Sequence, residues 1–332
     1  MELNFSVIVP VYNRPQEVRE LLESLRLQSY NKSYEILIVE DGSTNTSQTV
    51  VDAFSDLNII YLFKNNTGPG DSRNYGMRYA AGTYFIILDS DCVLPPHYLK
   101  HLEISLIKKY TDFFGGPDAA QDNFTPLQKA INYVMTSLLT TGGIRGRKEA
   151  SSGFEPRSFN MGISKKAFEA SGGFGTIHPG EDPDLSIRLW GLGFESQLIS
   201  EAFVYHKRRI SWSKFYVQVR KFGLVRPILS QWHPQSTKIT FWFPSFFLMG
   251  LAFAFIAALL DFYMPVGLAF LYLATIAIHS ALKNKSGLIG LLSVWAVLVQ
   301  FTGYGFAFLE STFYTRILKK DPRKKYPHLF FE

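Results

Sequence analysis

Residues 239–309 carry almost no charged side chains, and no other feature of the sequence restricts the possible folds as strongly. The 22 residues from 239 to 260 are all uncharged. As a helix rising about 1.5 Å per residue they would span about 33 Å, enough to cross a hydrocarbon core of roughly 30 Å. Two more apolar runs follow, at 264–282 and 286–309. We therefore predict a transmembrane region over 239–310 that contains about three helices.

The segments on either side of this region are basic, and the chain has a net charge of +6. In residues 211–238 basic and aromatic residues alternate, which is typical of an amphipathic segment at a membrane interface. Residues 311–332 form a basic tail, and three full spans would place it opposite the N-terminal half, against the positive-inside rule, unless one run is re-entrant or interfacial. No nucleic-acid-binding module accompanies the charge, so we expect a membrane partner and no nucleic acid.

Residues 1–93 alternate between short apolar runs and amphipathic helical patterns. The runs at 5–9, 34–39, 59–63 and 85–88 predict four strands, and the alternation predicts an α/β fold with a mostly parallel sheet. No Gly-x-Gly-x-x-Gly follows the first strand and no Gly-Lys-Ser/Thr loop occurs, which disfavours dehydrogenases and P-loop proteins. The single cysteine, Cys92, excludes an intrachain disulfide and is expected to pack as a small apolar residue. The first residues lead directly into a strand, and no signal peptide is predicted.

Asp89 and Asp91 follow the fourth strand with one residue between them. Two exposed acids at the start of a loop would explain so short a pattern without any function. Nearby carboxylates also repel each other unless a cation lies close, and Mg²⁺ or Mn²⁺ suits carboxylate and phosphate oxygens together. The carboxyl end of a central strand is where open α/β sheets bind ligands, so a metal–diphosphate site is the functional alternative.

Other polar residues are predicted at the same edge of the sheet. Asp41 ends the second strand, and Arg73 lies in a Gly-rich turn that opens a helix after the third. His206 ends a later strand, and imidazole is a suitable ligand for a divalent metal. Three acids, Glu181, Asp182 and Asp184, stand at the head of another helix, where capping and the helix dipole alone would explain them.

In this order and at these spacings the motifs resemble those of the family 2 glycosyltransferases, inverting enzymes with a GT-A fold that use nucleotide-sugars. The resemblance covers residues 1–210, which we predict as the catalytic domain. The matching stretches are Val7-Ile8-Val9-Pro10-Val11-Tyr12-Asn13-Arg14, Ile38-Val39-Glu40-Asp41-Gly42-Ser43, Gly70-Asp71-Ser72-Arg73-Asn74, Leu88-Asp89-Ser90-Asp91, Gly172-Gly173-Phe174 and Glu181-Asp182.

The resemblance implies roles for particular residues. A nucleotide pocket would be formed by Pro10, Tyr12 and Asp41, with Tyr12 stacking on the base and Asp41 accepting a base N–H. Arg73 and Asp89 would lie on the ribose–diphosphate side. Asp91 would bind Mn²⁺ or Mg²⁺, and His206 is where some relatives place a further metal ligand. Asp182 would be the catalytic base, with Glu181 and Asp184 as alternatives.

The implied activity is transfer of one hexosyl or N-acetylhexosaminyl unit, most simply from a UDP-sugar, to a lipid-linked or membrane-proximal glycan in cell-surface polysaccharide synthesis. Processive synthases of the family carry Gln-x-x-Arg-Trp, whereas this chain has Gln218-Val219-Arg220-Lys221-Phe222, so a processive enzyme is the less favoured alternative. A non-catalytic nucleotide-binding membrane scaffold is another. We expect a multi-pass protein of the bacterial inner membrane with its catalytic domain in the cytoplasm.

Overall fold

The computed structural model describes residues 3–119, 124–141, 153–206 and 211–331. The chain forms two compact units. The first unit comprises Met1–Gln121, Lys148–Lys207 and Phe330–Glu332, and the second comprises Asp122–Arg147 and Arg208–Leu329. This grouping differs from a single division near residue 210, because one helix before that point packs with the apolar helices and the last residues return to the first unit.

The first unit is built on a seven-stranded sheet in the order β3-β2-β1-β4-β8-β6-β9. Neighbouring strands from β3 to β4 are parallel, β8 is antiparallel to both β4 and β6, and β9 is parallel to β6. A small second sheet has the order β5-β10-β7. The strands are β1 Phe5–Val11, β2 Glu35–Asp41, β3 Ile59–Lys64, β4 Tyr84–Leu88, β5 Cys92–Val93, β6 Phe113–Gly115, β7 Asp118–Ala119, β8 Asn160–Ser164, β9 Ser196–Leu198 and β10 Val204–His206. The predicted mostly parallel sheet is thus confirmed.

Helices cover both faces of this sheet, which explains why its central strands are continuous apolar runs. One core packs alternate residues such as Val7 and Val9 of β1 against α1 Pro15–Arg26 and α4 Tyr98–Lys108, together with α2 Gln48–Asp52. The opposite core packs the intervening residues, such as Ile8, against α3 Pro69–Tyr79, α7 Lys165–Ser171 and α8 Glu181–Gly191.

The strand order places a topological switch point beside β1. From β1 the chain proceeds to β2 and β3 on one side, whereas β4 lies on the other side. In open α/β sheets the crevice at the carboxyl ends of such strands is the usual ligand site. The loops after β1, β2, β3 and β4 all leave from this edge.

The second unit consists of helices. These are α5 Pro126–Thr136, α6 Leu138–Thr141, α9 Trp212–Trp232, α10 Phe243–Leu259, α11 Met264–Asn284, α12 Gly287–Thr312 and α13 Pro322–Lys325. Its core joins Ile131 and Val134 of α5 to Phe215 of α9 and Phe301 of α12. This packing is the reason that α5 belongs with the apolar helices.

Small residues let α9 and α12 approach closely. A Cβ at Gly223 would lie 2.4 Å from the carbonyl oxygen of Tyr304, so no side chain fits there. The Ser311 hydroxyl donates to the Leu224 carbonyl at 2.6 Å, and Arg220 pairs with Glu310 at 3.0 Å. Close backbone approach and interhelical polar contacts of this kind stabilise helix pairs in membranes.

Three helical stretches of the second unit are long and apolar enough to cross a membrane: Ile239–Leu259, Met264–Asn284 and Gly287–Ile317. The predicted runs at 239–260 and 264–282 match the first two closely, whereas the third stretch continues to Ile317, past the predicted end at 309 and into the predicted basic tail. Only 22%, 11% and 44% of their most apolar windows are buried inside the protein, so most of this apolar surface faces outward. Outward-facing apolar surface of this extent is typical of lipid contact.

Candidate active site

Asp41, at the carboxyl end of β2, is buried and held by three donors. Its Oδ1 accepts from the Lys64 ammonium at 2.6 Å and from the Thr67 N–H at 3.0 Å, while Oδ2 accepts from the Gly68 N–H at 3.0 Å. A carboxylate oxygen can accept two hydrogen bonds, so Oδ2 retains one acceptor position. The geometry is therefore compatible with a further N–H donor from a ligand.

The neighbouring Glu40 has a structural role instead. It is fully buried, accepts hydrogen bonds from the Ser43 and Tyr61 hydroxyls, and accepts the Ser47 N–H at 2.9 Å. Asn13 joins this turn to the loop after β1, because its side-chain oxygen accepts the N–H groups of Thr44 and Asn45 at 2.9 and 2.8 Å. The two loops are thus fixed to each other.

Pro10 and Tyr12 stand at the end of β1 beside these loops. Pro10 is partly buried, and the Tyr12 side chain is 54% exposed. An exposed aromatic face next to a polar pocket is suited to stacking on a flat ring.

Arg73, on the first turns of α3, is buried between two acids from distant parts of the chain. One guanidinium nitrogen donates to Asp89 Oδ1 at 3.0 Å and the other to Glu181 Oε1 at 3.3 Å. The guanidinium carbon lies 5.3 Å from the centre of the Phe174 ring, which permits a cation–π contact. Arg73 therefore connects the turn after β4 with the head of α8.

The turn at residues 172–174 is hydrogen-bonded to α3, the helix that carries Arg73. Asn74 donates to the Phe174 carbonyl at 2.9 Å and accepts the Phe174 N–H at 2.8 Å. Gly172 and Gly173 have φ angles of +72° and +77°, and a Cβ at Gly173 would lie 2.2 Å from the Asn74 side-chain oxygen. Only glycine fits at position 173, because the positive φ angle disfavours other residues and because there is no space for a side chain.

Two of the three acids at the head of α8 are ion-paired. Glu181 accepts from Arg73 and lies 2.9 Å from His178 Nδ1. Asp184 Oδ2 accepts two bonds from Arg188, at 3.0 and 2.9 Å. Arg188 also donates to the carbonyls of Ser171 and Gly173, so this second pair supports the glycine turn.

Asp182 differs from both neighbours. Its Oδ2 accepts the backbone N–H of Ser158 at 3.2 Å, whereas its Oδ1 is shielded from solvent and accepts no hydrogen bond from any described residue. Burial, and secondarily the charge of Glu181, raises the pKa of the Asp182 carboxyl to about 6. Burial acts in the same direction on Glu181, but His178 and Arg73 outweigh it and lower the pKa of that carboxyl. The pKa values of these two adjacent carboxyls are thus shifted in opposite directions.

The turn after β4 carries concentrated negative charge. Burial, and then the charges of Asp89, Asp91 and Asp118, raise the pKa of the Cys92 thiol well above its usual value, so Cys92 stays a neutral buried side chain, as expected. His206 is the register partner of Cys92, in the strand pair β10–β5 directly after Asp91. Carboxylate oxygens and imidazole nitrogens are both suitable ligands for a divalent metal such as Mn²⁺. No group of three potential ligands occurs among the side chains that the structure describes, a set that does not include the His206 side chain.

The structure adds three residues that the sequence patterns did not single out. Lys64 is the counter-ion of Asp41, His178 is the partner of Glu181, and the Ser158 N–H holds Asp182. Lys64 could have been found, because it ends β3 at the same edge as the other candidates. His178 and Ser158 lie in loops with no recognisable motif, and only the folded chain brings them to α8.

The chain is similar in sequence to known glycosyltransferases over part of its length. The protein is 36% identical over 104 residues to an uncharacterized glycosyltransferase of Rickettsia typhi, which is 31% of this chain and 32% of that protein. It is 32% identical over 114 residues to the poly(ribitol-phosphate) beta-N-acetylglucosaminyltransferase TarS of Staphylococcus aureus, which is 33% of this chain and 20% of TarS. The chain thus matches a third or less of the length of these relatives.

Two solved structures are similar over nearly the whole chain. TarS 1–349 in complex with UDP-GlcNAc has a TM-score of 0.51 and 18% identity, with 93% of this chain and 91% of that chain covered. A mannosyltransferase of Pyrobaculum calidifontis in complex with GDP-Man and Mn²⁺ has a TM-score of 0.57 and 16% identity, with 97% and 89% covered. These likenesses confirm the predicted GT-A fold.

The family model for glycosyl transferase family 2 matches residues 6–172, which is half of the chain. The matched region contains the loops after β1, β2, β3 and β4, with Asp41, Arg73, Asp89 and Asp91. The chain therefore belongs to the family 2 glycosyltransferases.

Proposed function

We propose that this glycosyltransferase is anchored in a bacterial inner membrane and moves one hexosyl or N-acetylhexosaminyl unit from a UDP-sugar to a lipid-linked or membrane-proximal glycan in cell-surface polysaccharide synthesis. Three membrane-length apolar helices support the anchoring, with the catalytic unit in the cytoplasm, where nucleotide-sugars are made. The complexes of TarS with UDP-GlcNAc and of the mannosyltransferase with GDP-Man support a nucleotide-sugar donor.

The nucleotide would bind at the carboxyl ends of β1 and β2. Tyr12 would stack on the base beside Pro10, and the remaining acceptor position of Asp41 Oδ2 would receive a base N–H. Arg73 and Asp89 would form the ribose–diphosphate side as a linked pair. The Arg73 guanidinium already donates to two carboxylates. It would therefore act on the diphosphate indirectly, by keeping Asp89 in place.

Asp91 and His206 would hold a Mn²⁺ or Mg²⁺ ion. When bound, this ion would offset the negative charge that develops on the leaving diphosphate. Asp91 lies in the negatively charged turn after β4. The backbone of His206 is paired with that of Cys92, the residue after Asp91.

Asp182 would act as the catalytic base, and the observation that carries this assignment is its Oδ1 atom, which accepts no hydrogen bond within the described part of the chain although both neighbouring acids are ion-paired. Asp182 would take the proton of the acceptor hydroxyl while that oxygen attacks the anomeric carbon from the face opposite the diphosphate. One bond forms as the other breaks, the diphosphate leaves with the bonding electron pair, and the anomeric configuration inverts without a covalent sugar–enzyme intermediate.

A panel of nucleotide-sugars tests the proposed function, with membrane extract as the acceptor and the full-length protein in detergent or vesicles. We expect transfer of a single sugar per acceptor from a UDP-sugar, loss of transfer with a chelator, and recovery with Mn²⁺ or Mg²⁺. Long products from a single encounter would instead indicate a processive synthase. Nucleotide binding without hydrolysis or transfer from any donor would indicate a non-catalytic scaffold.

The raised pKa of Asp182 predicts a particular pH dependence. A base works only as the carboxylate, so kcat/KM should rise about tenfold per pH unit up to about pH 6 and level off above it. Measurement of initial rates between pH 4.5 and 8 at saturating metal checks this. A plateau that extends unchanged below pH 5 would argue against a base with a pKa of about 6, because it would require a carboxyl that titrates near the ordinary value of 3.8.

A further inference from the structure

Phe330 and Phe331 contact the first unit directly beside the candidate site. Residues up to Leu329 belong to the helical unit, and the chain returns to the first unit at Phe330. Phe330 forms an antiparallel bridge with Ile177, and the Phe331 N–H donates to the Thr176 carbonyl at 2.9 Å. These two residues therefore extend along the segment that leads into α8.

The Phe331 ring fills the space between two loops. On one side it lies against Gly68, where a Cβ would be only 2.4 Å from the Phe331 Cγ atom. On the other side its centre is 5.9 Å from the centre of the His178 ring. Gly68 has a φ of +91°, so its backbone angle and the adjacent ring both favour glycine.

Both contacts are connected to candidate site residues. The Gly68 N–H donates to Asp41 Oδ2 at 3.0 Å, and the Gly68 carbonyl accepts the N–H of Ser72, the residue before Arg73. His178 lies 2.9 Å from Glu181, which precedes Asp182. The ring thus contacts Gly68, whose N–H binds Asp41 of the proposed nucleotide pocket. It also lies against His178, which pairs with Glu181 next to the proposed base.

We infer that Phe331 is a positioning residue for glycosyl transfer, because its ring sets the spacing between the nucleotide loop at Gly68 and the base helix α8. This inference rests on the proposed function for its catalytic consequence, since Phe331 itself touches none of the residues assigned to substrate. Reacting groups displaced by about 1 Å can lose about 100-fold in rate, so a spacer at this point affects turnover more than binding.

The Phe331→Ala variant of the full chain tests the inference kinetically. We expect kcat to fall by at least about tenfold, while the dissociation constant for the donor changes by less than about threefold. Phe331→Leu, which keeps an apolar side chain in the gap, should recover most of the rate. Ile107→Ala, a truncation of a side chain that is 68% exposed on α4, is the matched control and should leave both constants unchanged.

Hydrogen exchange provides a readout that does not depend on activity. In Phe331→Ala the backbone N–H groups of residues 66–68 and 176–178 should exchange about tenfold faster, with the core of the sheet unaffected, because only the two contacted loops lose packing. Unchanged exchange and unchanged kcat in Phe331→Ala would overturn the inference, as would an increase in kcat, which would identify the ring as an obstruction. If the unmodified protein transfers no sugar from any donor, but exchange is still faster in Phe331→Ala, the proposed function is wrong and the spacer role of Phe331 remains.

Discussion

Asp182→Asn is expected to lower kcat by about 10²–10⁴-fold while donor affinity stays within about twofold. Asparagine keeps the shape of the side chain and can still accept the Ser158 N–H, but it cannot take a proton from the acceptor hydroxyl. The measurements are initial rates of sugar transfer and equilibrium binding of the donor. Normal turnover in this variant would refute the assignment of Asp182 as the base.

The same variant should fold at least as well as the unmodified protein. The folded-state pKa of Asp182 lies above its unfolded value, so folding favours the protonated carboxyl, and stability from this group falls as pH rises from about 4 to about 6. At pH 7 the charged form opposes folding, and asparagine removes that charge. An unfolding temperature that is equal or higher therefore separates loss of chemistry from loss of structure.

Two further substitutions serve as controls for the base assignment. Glu169→Gln changes an exposed acid on α7 and should leave rate and stability unchanged. Asp184→Asn breaks the pair with Arg188, so we expect lower stability and a smaller loss of rate. If Asp184→Asn lost turnover at full stability while Asp182→Asn retained it, Asp184 would be the base.

Arg73→Met is expected to lower the free energy of unfolding by about 3–5 kcal/mol, because it leaves the buried carboxylate of Glu181 and the partly buried carboxylate of Asp89 without their shared partner. For a unit of this size such a loss corresponds to a decrease of roughly 6–20 °C in the unfolding temperature. Activity should be lost as well, since both the turn after β4 and the head of α8 depend on this guanidinium. Thermal unfolding in detergent and transfer assays would measure the two effects.

Arg26→Met is the matched control for this prediction. Arg26 also pairs with a carboxylate, that of Asp56, but both side chains are about half exposed, and such pairs contribute about 1 kcal/mol or less. Arg73→Lys should be intermediate, because a single ammonium cannot reproduce the planar two-sided contact of a guanidinium. Equal effects of Arg73→Met and Arg26→Met would contradict the proposed bridge.

The first four strands could be predicted to within two residues, because strands in a sheet that is covered by helices on both faces are largely apolar runs with polar turns on either side. The fifth strand of the main sheet in chain order, β6, and the direction of β8 could not be. Phe159–Ile163 has the composition of a strand, but its antiparallel pairing with β4 depends on contacts that no local pattern records. The membrane-length helices could be predicted because their length and lack of charge are local properties of the sequence.

The location of the candidate residues at one edge of the sheet could be predicted, but the contacts between them could not. Asp41, Asp89 and Asp91 were identifiable because each follows a strand at the same edge of the sheet. The contact between Arg73 and Glu181 joins residues 108 positions apart, and the sequence gives no sign that this arginine would pair with two acids. Contacts over such distances are decided by tertiary packing, and so is the position of Phe331 next to Gly68.

The contact between α9 and α12 has a consequence for the order of folding. α9 precedes all three apolar helices in the chain, yet its partner residues Glu310 and Ser311 are synthesised 90 and 87 residues after Arg220 and Leu224. At translation rates of about 5–20 residues per second, the apolar face of α9 waits roughly 4–18 s for its partner. During that interval a membrane surface, a chaperone or aggregation would compete for this face, so α9 cannot complete its packing until α12, the last of the three apolar helices, has been made.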